Sequence, residues 1–155
     1  MPMNRLSVLL VLVGAVAAFG AEKPNFSGTW KLNAGRSDFG KMPVPQKLER
    51  VITHSEPKLT VQSVTSSPQG ELRSVSTYMT NDTESVNTVR GTQVKSVVSW
   101  VGPTLVVRST RQVQGVEILA VEHWSLSVDG KVLTVINKIS SPAGVVEATT
   151  VMDRH

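Results

Sequence analysis

Cysteine is absent from the 155-residue chain, which excludes disulfides, thiolate metal centres and cysteine nucleophiles together. Any stability must therefore come from a packed core. Histidine is scarce as well: His54, His123 and His155 have no metal-ligand spacing among them. A nucleophile elbow, a phosphate-cradling glycine loop and a paired-carboxylate motif are all missing, and the sequence implies no catalytic residues, no metal and no cofactor. Lys and Arg number 16 against 12 Asp and Glu, a formal net charge of +4. These basic residues are dispersed and often alternate with Ser or Thr. Nucleic-acid binding needs a basic stripe with interleaved aromatics, and there is none.

What the chain does have begins with a leader. Arg5 is the only charge before Glu22, and Leu6 to Ala18 is an unbroken run of small and apolar residues. A positive start, a short apolar core and a small-residue exit are the three parts of a secretory signal peptide. Residues 1–20 are expected to be removed, leaving 21–155 as one mature domain that is secreted or periplasmic. The apolar run is shorter than the ~20 residues of a bilayer span, so no membrane span is expected in that domain.

Beyond the leader the pattern is all-β. Short segments rich in Val, Thr, Ser, Ile and Leu recur between turn signals, which predicts strands over 26–33, 47–55, 58–66, 71–79, 84–89, 93–100, 104–112, 116–128, 131–140 and 145–153. A Gly/Pro loop from Gly35 to Pro45 separates the first two. The expected architecture is an antiparallel up-and-down barrel of about 8–10 strands. Asp129-Gly130 between two alternating runs is a strong hairpin signal, read as a two-residue turn with both residues at positive φ.

That turn sets a register. With Val128 opposite Lys131, Leu126 faces Leu133, Trp124 faces Val135, Glu122 faces Asn137 and Ala120 faces Ile139, all on one side of the sheet. The other side carries Ser127, Ser125, His123, Thr134 and Lys138, so the first side points inward. The inner wall is thus apolar with one polar rung, Glu122 and Asn137. A bare buried carboxylate is costly, so the rung either orients a ligand or bonds within itself or to a nearby basic side chain. The hairpin before it turns at Val101-Gly102-Pro103 and places Val94, Val98, Trp100, Leu105 and Val107 on one face, with Arg111 either reaching inward to a carboxylate or solvated at the rim. Only six aromatics follow the leader, and Ser63, Thr65, Ser74 and Ser76 fall on inward positions. This shortage of bulk suggests a cavity.

Phe26-Ser27-Gly28-Thr29-Trp30-Lys31-Leu32 resembles the first strand of the calycins, the superfamily of lipocalins and fatty-acid-binding proteins. The resemblance implies a lipocalin-like barrel in which Trp30 closes one end against a basic side chain of the last strand, here Arg154, with Gly28 allowing the approach. It also implies a small apolar or amphipathic ligand. The Arg-x-Tyr pair that holds fatty-acid carboxylates near the end of that family is absent, as is the second lipocalin motif, and the Gly35–Pro45 loop stands where fatty-acid-binding proteins carry a helical lid. Candidate ligand-binding residues are Trp100, Arg111, Glu122, Trp124, Val135 and Asn137, along the Asp129-Gly130 hairpin wall. An envelope module that binds or inhibits another protein through the Gly35–Pro45 loop, and a small barrel isomerase or cyclase, are the alternatives.

Overall fold

The computed structural model describes residues 23–155; the expected signal peptide, 1–20, lies outside the described residues. Ten strands form a single antiparallel sheet: β1 (Gly28–Leu32), β2 (Lys47–Ser55), β3 (Lys58–Ser67), β4 (Gly70–Met79), β5 (Ser85–Val89), β6 (Thr92–Val101), β7 (Thr104–Val113), β8 (Val116–Leu126), β9 (Val132–Ser141) and β10 (Gly144–Arg154). Their order, β4-β3-β2-β1-β10-β9-β8-β7-β6-β5, closes the meander by pairing the first strand with the last. Trp30 lies opposite Arg154 there.

The two edges, β4 and β5, do not form a ladder. Instead the Asn87 carboxamide stands in for a strand: the Thr77 N–H donates to its Oδ1 at 2.9 Å and its Nδ2 donates to the Thr77 carbonyl at 3.0 Å. Ser85 Oγ accepts from the Met79 N–H beside it. The barrel is nearly closed, with side chains covering an edge that would otherwise expose backbone donors.

The expected inward register across β8 and β9 is observed, with Glu122 opposite Asn137 and Trp124 opposite Val135. The turn itself differs. The Gly130 N–H bonds to the Ser127 carbonyl, and Asp129 Oδ1 accepts from both Ser127 Oγ and the Lys131 N–H. Only Gly130 takes positive φ, 71°. A wider turn built on Ser127 replaces the expected two-residue one, because the Asp129 carboxylate caps it from outside.

Strand alternation divides the interior by height. Near the end that holds the β2–β3, β6–β7 and β8–β9 turns, the inward residues Ile52, Leu59, Val98, Leu105, Leu133 and Met152 pack with Phe26 and Trp30 into the core. Midway, inward positions become polar: Arg50, Ser63, Ser74, Ser96, Ser109, Glu122 and Asn137. Half of this barrel is a core and half is not. Among the described residues no helix is long and apolar enough to cross a membrane.

Candidate functional site

The closed end is held by partnered polar groups. Trp30 is fully buried, donates from Nε1 to the Phe26 carbonyl at 2.9 Å, and lies under the Arg154 guanidinium at 4.3 Å. Arg154 in turn donates to the carbonyls of Ser27 and Gly130. Gly28 has φ +146°, which strains any side chain there, and a Cβ would meet Arg154 Nη1 at 2.5 Å and push the guanidinium aside.

Beside it, His54 accepts from the Phe26 N–H at Nδ1 and faces Glu56 Oε1 with Nε2, both at 3.2 Å. Glu56 also accepts from Thr80 Oγ1 and, at 2.7 Å, from Trp100 Nε1. Burial would raise the Glu56 carboxyl, but the bonds from Thr80, Trp100 and His54 outweigh it and hold the group below its ordinary value. Both ring nitrogens of His54 are engaged, so this cluster fastens the floor and leaves no free base.

Above the core lie two cavities whose linings share Arg50 and Ser63. The larger is a cavity of about 580 Å³ at the mouth, roofed by Phe39, Met42 and Val44 and flanked by Leu48, Ala148 and Asn137. The smaller is a recess of about 110 Å³ with Ser63, Ser74, Ser76, Tyr78, Glu122 and Trp124 in its wall. The roof is the Gly35–Pro45 loop. It is anchored on β10, where Asp38 and Thr149 exchange backbone bonds and Ser37 Oγ accepts from the Val151 N–H.

Arg50 projects between the two. Its guanidinium stacks over Trp124 at 5.6 Å, and its Nε and Nη1 are buried without a hydrogen-bond partner among the described residues. Asn137 Oδ1 is likewise buried without a partner among the described residues. Glu122 receives the Trp124 indole N–H on Oε2 at 2.7 Å. Burial pushes the Tyr78 hydroxyl up, the Glu122 carboxylate adds to this, and Arg50 partly opposes it, so both charges act on the recess.

The expected ligand set does not assemble in one place. Glu122 and Trp124 line the recess and Asn137 lines the mouth cavity. The rung residues face each other yet do not bond, since Glu122 is taken by Trp124 and Asn137 Oδ1 has no partner among the described residues. Trp100 instead belongs to the floor, stacked on Phe26 and bonded to Glu56. Val135 is core, 2% exposed. Arg111 is exposed at the rim in a separate outer groove with Lys95 and Glu117, because β7 has by then risen past the interior. The mouth cavity thus rests on β2, β3 and β10 with Asn137 alone from the β8–β9 wall, and β4 and β8 enter only at the recess.

Arg50 and Tyr78 were missed by sequence reasoning. The signal for Arg50 was available: Leu48, Arg50, Ile52 and His54 alternate along one strand, and the apolar members of that set mark it as inward. Tyr78 likewise continues the inward series of Ser74 and Ser76.

Solved structures with the same fold include zebrafish ileal bile acid-binding protein complexed with cholic acid, at 16% identity and TM-score 0.60, covering 84% of this chain and 98% of that one. Human cRBP IV is 17% identical with TM-score 0.57, over 85% of this chain and 99% of its own. A secretory abundant heat soluble protein from Ramazzottius varieornatus is 14% identical with TM-score 0.63, over 83% and 94%. No family model matches the chain, and no curated protein matches it significantly. The fold is a calycin-like barrel.

Proposed function

We propose that this calycin barrel binds a small amphipathic molecule, with its apolar part under the Phe39–Pro45 roof and its polar head at Arg50. The observation that carries this is the Arg50 guanidinium at a cavity large enough for such a molecule, with Nε and Nη1 buried and unpartnered among the described residues. An unsatisfied charged donor in a low-dielectric interior costs several kcal/mol, so the site favours an acceptor supplied from outside the chain. The apolar lining supplies the non-specific part of the affinity and the arginine the orientation. The likeness to a bile-acid-binding barrel supports the same use of the interior. With the leader at 1–20, the proposal is of a secreted or periplasmic carrier.

Titration with dodecanoic acid, read by tryptophan emission and by native mass spectrometry, tests this. Trp124 lies against Arg50, so a one-to-one complex is expected to change its emission. Arg50→Met should weaken the acid about tenfold or more, equivalent to one charge-assisted hydrogen bond, and leave dodecanol unchanged. Absence of binding by both compounds would remove the reading.

A further inference from the structure

We infer that the ligand head is not a plain carboxylate but an acidic group with a hydroxyl or amide N–H a few bonds along the chain. This rests on the proposed ligand-binding role and narrows it. The polar belt around the cavity makes two opposite demands. Arg50 has donors only, and Nε and Nη1 lack an acceptor. Across the interior, the Glu122–Asn137 rung offers acceptors: a carboxylate already tied at one oxygen to Trp124, and an unpartnered amide oxygen.

A simple carboxylate answers only the first demand. Its charge would also share the recess with Glu122, which lines the same walls as Arg50, and that contact is repulsive unless a proton lies between the groups. A head with an adjacent O–H or N–H answers both. The acidic oxygens take the guanidinium, and the donor is directed to Asn137 Oδ1, the rung acceptor that no described residue occupies. Ser96 and Ser109 bond to each other at 2.7 Å, and Ser63 and Ser74 on the recess wall are hydroxyls that can either donate or accept, so neither pair makes a demand of one kind. The selectivity is therefore localised to Arg50 and the rung. Hydroxy acids and N-acyl amino acids of medium chain length have the required chemistry, and a site with unpaired polar groups discriminates against analogues that lack the matching group.

The test compares dodecanoic acid, β-hydroxydodecanoic acid and N-dodecanoylglycine by isothermal titration with the full mature chain. At least one donor-bearing acid is expected to bind about tenfold or more tightly than dodecanoic acid, the effect of one well-placed buried hydrogen bond. Asn137→Val should collapse that ratio toward one, whatever its effect on the affinity for dodecanoic acid itself. Asn137→Asp, which keeps an acceptor, should preserve the ratio even if its charge lowers all affinities. Equal affinities in the wild type, or a ratio that survives Asn137→Val, would overturn the inference while carrier function stands. If neither acid class binds, the carrier reading falls instead. Should Asn137→Val fail to fold, the wild-type ratio and Asn137→Asp decide.

Discussion

The two halves of the barrel are built from the same strands but treat polar groups in opposite ways. At the closed end Trp30 Nε1, His54, Glu56, Trp100 Nε1 and Arg154 each have a protein partner. Two strand positions from Ile52, Arg50 has two buried nitrogens with none, and Asn137 lacks a partner on its oxygen. Each half also contains an arginine over a tryptophan: Arg154 on Trp30 at 4.3 Å and Arg50 on Trp124 at 5.6 Å. The pairs look alike and differ in satisfaction. A cation with carbonyl partners fastens the fold. A cation stacked on an indole but otherwise unpaired is placed for something else. Buried polar groups with internal bonds fasten the fold, and one without a protein partner calls for an acceptor or donor from elsewhere, a water, an ion or a ligand.

The largest effect belongs to the closed end. Trp30→Ala should cost about 3–5 kcal/mol in chemical denaturation, because a fully buried indole leaves a cavity that strands β1 and β10 cannot close, and Arg154 loses its platform. A cost under about 1 kcal/mol would mean that the floor is not the core, and the contrast between the halves would fail.

Acid should act on the same end with a smaller effect. The Glu56 carboxyl is held below its ordinary value of 4.5 by Thr80, Trp100 and His54. Its folded pKa is below the unfolded one, so its contribution is complete above about pH 4.5 and is lost as pH falls through the folded value. The melting temperature should decline over that range, and Glu56→Gln should flatten the decline at the cost of a lower plateau. A pH profile unaffected by Glu56→Gln would show that the latch carries no net charge interaction.

How much of this was legible in the sequence follows the same division. Strand positions and the β8–β9 register could be read because alternation is local and the Asp129-Gly130 turn fixes the pairing. The closure of Trp30 by Arg154 came from the resemblance of the first strand to the calycins. The polar belt was less legible because it is defined by height along the barrel, not by position along one hairpin. Val135 and Trp100 share the inward face with Asn137 and Glu122, but two residues toward the turn is enough to move a side chain from cavity to core. Arg111 shows the opposite case, two residues past Ser109 and already at the rim. Which inward residue reaches which level depends on the stagger of all ten strands, and only the assembled sheet shows it. Satisfaction of a buried group is likewise a property of neighbours on distant strands: Glu122 and Asn137 are opposite each other, yet the bond goes to Trp124.

The smallest stability effect is expected at Arg50, and it is the sharpest test of the contrast. Arg50→Met keeps a long apolar stem against Trp124 and removes a charge whose buried nitrogens have no partner. Replacing an uncompensated buried cation by a side chain of similar volume removes its desolvation penalty, which offsets the loss of a cation–π contact of about 0.5–1 kcal/mol. The two contributions have opposite signs, and the net change in unfolding free energy should lie within about 1 kcal/mol of zero, on either side. The matching change at the closed end, Arg154→Met, should cost more, because it leaves the Ser27 and Gly130 carbonyls without their donors and uncovers Trp30. Urea denaturation of both variants without added ligand measures the difference directly. If Arg50→Met proved as destabilising as Arg154→Met, Arg50 would be a second structural clasp, and the unpaired interior would lose its claim to a ligand.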